Sequence, residues 1–244
     1  MNLFVDALRW LLDGSHWSGT HGIPIRVLEH VEVSAVAVAI AAAIAIPVGM
    51  YIGHTRRFQL ISVSVANVGR AIPSFAILVI AYVLVSKIAP RRAFGFLPTV
   101  IALIVLAVPP VLTNTYVGIQ QVDPDTVEAA RGMGMTERDV LVRLELPLAV
   151  PLIMAGLRTA AVTVVATATL SALIAGGTLG RFIVDGLAQG DDPMLVAGAM
   201  LVAVLALLTE VAFGLLERVL SPRLRSSGRR RVEPAAAADV TPAA

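Results

Sequence analysis

Cysteine is absent from this 244-residue chain, which excludes disulfides and thiolate metal sites. Lysine is nearly absent: Lys87 stands alone, and Ser86 precedes it where a phosphate-binding loop requires Gly. The chain therefore has no Walker-type nucleotide site. If ATP drives it, another polypeptide must hydrolyse that ATP. Charged residues make up only 15% of the sequence, against about 25% in a soluble domain. Nineteen basic residues against seventeen acidic ones leave +2, too little to argue for nucleic acid. The histidines, His16, His21, His30 and His54, are scattered without metal-ligand spacing. The first twenty residues carry one Arg and an interrupted apolar pattern, unlike a cleaved signal peptide.

What the chain does have is apolar length. Hydrophobic residues make up 57% of it, and five runs lie near the roughly 20 residues a helix needs to cross hydrocarbon. They fall at about 31–53, 60–86, 97–119, 148–175 and 193–217. The expected fold class is an all-α integral membrane protein with about five transmembrane helices. Residues 1–25 form an amphipathic segment, with Phe4, Leu8, Leu11 and Leu12 at helical spacing and Trp10 and Trp17 nearby. Such a helix lies at the membrane interface. Residues 26–222 form the membrane domain, and the aperiodic Arg- then Ala/Pro-rich residues 223–244 a disordered tail.

Orientation follows the Lys/Arg asymmetry of the connections. An outside N-terminus puts Arg56, Arg57, Arg131, Arg138, Arg143, Arg218, Arg223, Arg225, Arg229, Arg230 and Arg231 inside, eleven in all. It leaves six outside: Arg9, Arg26, Lys87, Arg91, Arg92 and Arg181. The expected topology is N-out and C-in, with the Lys87–Arg92 loop against the trend. No internal repeat is visible, which weakens an inverted-repeat secondary transporter.

The longest polar break runs from Gln120 to Glu145, roughly 25 residues between two apolar runs, and carries two helix-start signals. Asp123-Pro124-Asp125 supplies an N-cap carboxylate, a Pro at the first helical position and a second acid in the first turn. Gly132-Met133-Gly134 breaks that helix where the chain must reverse. Thr136 with Asp139 resembles a capping box and opens a second helix. Its apolar residues Val140, Leu141, Leu144 and Leu148 should share a face, and Pro147 should mark re-entry into the membrane. The pattern predicts a helix–turn–helix on the cytoplasmic surface.

Glu128-Ala129-Ala130, then Gly134, then Leu144-x-Leu146-Pro147 resembles the signature loop of bacterial ABC importer permeases, with Leu144 where Ile is commoner. The resemblance implies a type I ABC importer permease fold in which residues 120–147 form the coupling loop. Glu128, Ala129, Ala130, Gly134, Leu144, Leu146 and Pro147 would then dock into a groove on the ATPase subunit. Ala71-Ile72-Pro73-Ser74, Asn114-Thr115-Tyr116-Val117-Gly118-Ile119, Met154 to Ala160 and Gly176 to Gly180 resemble, more narrowly, the permeases for glycine betaine, carnitine, choline and related osmoprotectants.

The resemblance implies further partners: a second permease subunit, an extracellular substrate-binding protein and the plasma-membrane bilayer. It implies no cofactor on this chain, with ATP-Mg used by the partner subunit. Asn67, Arg70, Asn114, Tyr116, Arg158 and Glu210 lie in or near spans, where polar groups are costly. Asn67, Asn114 and Tyr116 are candidates for a solute path, with helix-to-helix hydrogen bonding as the plainer alternative. Thr159, Thr163, Thr167 and Ser171 repeat every four residues, on one helical face, as a channel lining or as small-residue packing. Aromatics amount to 5% and form no apparent cage for a quaternary ammonium, so solute selection is expected on the binding protein. Three other readings stay open: an importer for another small solute such as an amino acid, an ion-coupled secondary transporter, and a non-transporting scaffold.

Overall fold

The alternation of apolar runs and polar breaks becomes helices and turns throughout the described residues of the computed structural model, which are 3–58, 60, 64, 69 and 71–220. Helix α1 spans Leu3–Leu12 and is followed by a 3-10 turn at Gly14–Trp17. Then come α2 (Ile23–Thr55), α3 (Ser74–Ile88) and α4 (Phe96–Gln120). The polar break forms α5 (Pro124–Gly132) and the short α6 (Glu137–Asp139). A π-helix at Val140–Glu145 leads without interruption into α7 (Leu146–Thr167), which tightens to 3-10 at Ala168–Ile174. Helices α8 (Gly180–Gln189) and α9 (Asp192–Leu220) complete the order.

Among the described residues, four helices are long and apolar enough to cross a membrane: α2, α4, the run Glu137–Ile174 and α9. Helix α3 has only 15 residues, and the second expected run lies partly outside the described residues. At 33 residues α2 is about 50 Å long. That exceeds the roughly 30 Å of bilayer hydrocarbon, so the ends of α2 project beyond it.

The core is the contact of α2 with α4 and α7, and small residues make it possible. On α2, Ala37, Ala41 and Ala45 follow one another every four residues and are at most 1% exposed. Gly49 and Gly53 continue the stripe. Opposite them, α4 presents Leu103, Ala107, Val111, Thr115 and Ile119 at the same spacing, all buried. A Cβ at Gly49 would lie 2.7 Å from Thr115 Cβ, and one at Gly53 2.6 Å from Ile119 Cβ. Both distances are far inside van der Waals contact. Lipid tails are as apolar as side chains, so this close approach is what favours helix on helix over helix on lipid.

At the other end of the bundle, α1 lies against α9 and α8. Trp10 and Leu11 pack beside Ile23, Leu179 and Phe182, while Phe4 and Leu12 remain 69% and 83% exposed. Of the four residues placed at helical spacing, Leu11 faces the protein while Phe4, Leu8 and Leu12 face outward. The structure adds α8, which the sequence reading did not separate from the loop after Gly180. The α7 span also ends differently from expectation. Ala175 and Thr178 take positive φ (59° and 62°), and the backbone N–H groups of Thr178 and Leu179 donate to Glu29 and His30 of α2 at 3.2 and 3.3 Å.

Candidate functional site

The polar break folds on a small core of its own. Val122, Val127, Ala130 and Val140 are buried together, with Met135 and Leu144 against them. Asp123 caps α5, its carboxylate accepting the Asp125 N–H at 2.9 Å, and Pro124 occupies the first turn. Gly134, at φ +89°, closes the helix, its N–H donating to the Arg131 carbonyl at 2.9 Å. No atom lies within 4 Å of where its Cβ would be, so glycine serves the backbone angle here and not a tight contact. Thr136 caps the next turn, accepting the Asp139 N–H at 3.2 Å, and its hydroxyl donates to the Asp139 carboxylate at 2.6 Å. A true capping box would return that carboxylate to the Thr136 N–H, and Asp is one methylene shorter than the usual Glu.

The two alanines of the signature do not share a face. Ala130 is 3% exposed and sits in the loop core with Val127, three residues earlier. Glu128 and Ala129 are exposed on the opposite side. Neighbouring helix positions cannot face the same way, so Ala129 alone is free for close approach by a partner. Met133, 78% exposed at the end of α5, adds an apolar side chain to that outer face. Composition gave no sign of it.

The second half of the loop runs straight into the next span at Pro147. The helix does not break there. Proline cannot donate to the carbonyl four residues back, and the π-helix just before it re-pairs the chain, with the Leu146 N–H on the Leu141 carbonyl. Widening the turn also shifts the apolar face: Val140 is fully buried, Leu144 is half-buried, and Leu148 is 40% exposed. Leu146 packs beside Ile119, Ala149 and Ile153, and Pro147 is exposed.

A polar chain crosses this end of the bundle. Arg131 of α5 donates from Nε and a terminal nitrogen to the Glu137 carboxylate, both at 2.9 Å. That fork keeps the guanidinium charged, pushing its proton affinity further up. Glu137 stands 3.2 Å from Nε2 of His54, on the last turn of α2. His54 Nδ1 in turn lies 2.6 Å from Glu145 of the π-helix. Glu145 is 6% exposed, the most enclosed acid among the described residues. His54 had appeared only as a scattered histidine, and its partner is 91 residues away.

Of the solute-path candidates, Asn114 and Tyr116 lie among the described residues. Asn114 is half-buried, its amide donating to the Pro110 carbonyl on its own helix at 2.8 Å, beside Gly156 of α7. Tyr116, 8% exposed, packs in the α2–α4–α7 core. Asn67 lies outside the described residues, as does Arg70. Arg158 of α7 is placed between two acids of α9, 3.5 Å from Glu210 and 3.6 Å from Glu217. Of the hydroxyl stripe, Thr159 and Thr163 are exposed. Ser171 is rotated inward by the 3-10 turn and bonds Thr178 at 2.9 Å.

Residues 45–226 match the family described as binding-protein-dependent transport system inner membrane component. The chain is similar to the carnitine transport permease protein OpuCB of Listeria monocytogenes, 37% identical over 83% of this chain and 90% of that protein. It is also similar to the glycine betaine/carnitine/choline transport system permease protein OpuCB of Bacillus subtilis, 32% identical over 80% and 87% of the two chains. Its fold is similar to that of the inward-facing MetNI methionine ABC transporter, with a TM-score of 0.69 over 79% of this chain and 93% of that one at 22% identity.

Proposed function

Because this chain belongs to the inner-membrane components of binding-protein-dependent transport systems, we propose that it is the permease of an ATP-driven importer for glycine betaine, carnitine, choline or a related quaternary amine. It is a multi-pass membrane protein. Two such permeases surround one solute path, and an extracellular binding protein delivers solute to them. Two ATPase subunits supply the energy from the cytoplasm. The loop end of the bundle faces that side, consistent with its excess of arginines.

The observation that carries this reading is the loop of residues 120–147. It has its own apolar core, yet presents Glu128, Ala129 and Met133 outward. A loop serving only to connect two spans needs neither. Glu128 pairs with a basic group of the ATPase, Ala129 allows close approach, and Met133 fills an apolar depression. Gly134 sets the reversal, and Leu144 and Leu146 anchor the unit to the spans. ATP binding moves the loops, and the loops bias the permease between inward- and outward-facing states.

The substrate assignment is tested in liposomes containing the permease, its ATPase and its binding protein. Uptake of labelled glycine betaine should require ATP and be competed by carnitine or choline. Uptake competed only by an amino acid would replace the substrate class. Uptake that persists with an inactive ATPase would replace the mechanism with ion coupling.

A further inference from the structure

We infer that His54 is a positioning residue for energy coupling: its ring, held between Glu137 and Glu145, fastens the coupling loop to the first span. The inference rests on the loop assignment above and adds a route by which loop motion reaches α2.

The contacts form a closed circuit. Helix α4 runs directly into α5 through Gln121–Asp123. Helix α5 reaches across through Arg131 to Glu137, at 2.9 Å on both oxygens. Glu137 meets His54 Nε2 at 3.2 Å, and His54 Nδ1 meets Glu145 at 2.6 Å. On the same helix, Gly53 immediately before His54 and Gly49 one turn before Gly53 hold α2 against Ile119 and Thr115 of α4. Helix α2 is thus joined to α4 by backbone proximity and to the loop by the contacts of the His54 ring. The two joints lie within one another's reach.

Hydrogen-bond capacity explains why histidine suits the place. Both ring nitrogens face carboxylate oxygens, and either ring nitrogen can carry the hydrogen that such a contact needs. A Lys or Arg would satisfy the charge without fixing two oxygens on opposite sides of one small ring. The π-helix contributes by carrying Glu145 inward, and single π-turns inside helices are frequent at functional sites. Glu145 is nearly closed off, whereas Glu137 and Arg131 have side chains 62% and 44% exposed. The clamp therefore has a sheltered end at Glu145, where the π-helix leads into α7, and a solvated end at Glu137. That is the arrangement expected of a joint that holds one element and lets the other move.

The test uses the reconstituted complex of permease, ATPase and binding protein, and reads ATPase rate and solute taken up per ATP. For His54→Ala, assembly and ATP hydrolysis should persist while uptake per ATP falls at least about fivefold, the lower end of usual inter-site couplings. Glu137→Gln should lower the same ratio by a smaller factor. The pair His54→Gln with Glu145→Gln keeps a hydrogen bond without either charge and should recover part of the loss. An unchanged ratio in His54→Ala overturns the inference. So does a parallel loss of hydrolysis and uptake, which a merely structural residue would give. If His54→Ala does not assemble, Glu137→Gln decides, because it leaves no buried charge unpaired: a lowered ratio supports the joint and an unchanged one overturns it. Gly134→Pro in parallel separates the two claims. Normal uptake in that variant removes the loop assignment itself, whereas its failure beside an unaffected His54→Ala removes only the clamp.

Discussion

Gly134 and Arg158 show what a single side chain contributes at the two levels of this molecule. At Gly134 the backbone angle is +89° with open space around it. An added methyl meets no neighbour, and the cost comes from the backbone alone. Gly134→Ala should therefore cost about 1 kcal/mol, measured as faster amide hydrogen exchange confined to residues near the reversal. Arg158 is different, because its partners Glu210 and Glu217 sit on another helix two turns apart. A double-mutant cycle with Arg158→Ala and Glu210→Ala in detergent should return a coupling of about 1 kcal/mol, the scale of interhelical polar contacts in membranes. A coupling near zero would mean that each group is solvated independently. Gly134 was legible in the sequence because a glycine ending a polar helix has few other reasons to be there. The clamp at His54 was not, because residues 91 positions apart leave no local pattern.

At the scale of elements, the sequence reading succeeded where periodicity is local. The Asp123–Pro124 helix start, the reversal at Gly134 and the turn begun by Thr136 all stand as expected. It failed where a helix changes pitch. The π-helix at Val140–Glu145 and the 3-10 turn at Ala168–Ile174 carry no distinct composition, yet they turn Leu148 outward and Ser171 inward. A four-residue rule counts these residues onto the wrong faces. The small-residue stripe on α2 follows the same four-residue rule, but alanines carry little distinguishing signal in a chain this rich in them. It supports a sharp comparison. Gly53→Ala places a Cβ 2.6 Å from Ile119 Cβ and should cost about 1–3 kcal/mol, the range for overpacking. Gly132→Ala, with nothing within 4 Å, should be neutral or slightly stabilising. Thermal midpoints of the two variants in one detergent check the difference. Equal midpoints would mean that α2 and α4 part easily.

At the scale of the whole molecule, the one lysine lies in no nucleotide loop, so the proposed importer requires a partner that hydrolyses ATP. The bundle is arranged accordingly. Among the described residues, the Gly49 and Gly53 contacts, the most enclosed carboxylate and the self-cored loop lie together at one end. At the far end, α1 and α8 cover the start of α9. On the proposed reading, the loop at residues 120–147 is where force enters, and the glycine contact and the His54 clamp are where it would spread. The most direct measurement is ATP-dependent uptake by the reconstituted complex carrying Gly134→Pro or Glu128→Arg. Pro cannot take a positive φ, and Arg reverses the charge on the outer face. The account predicts that both variants insert and fold normally but lose ATP-driven uptake. Full uptake by both would contradict it.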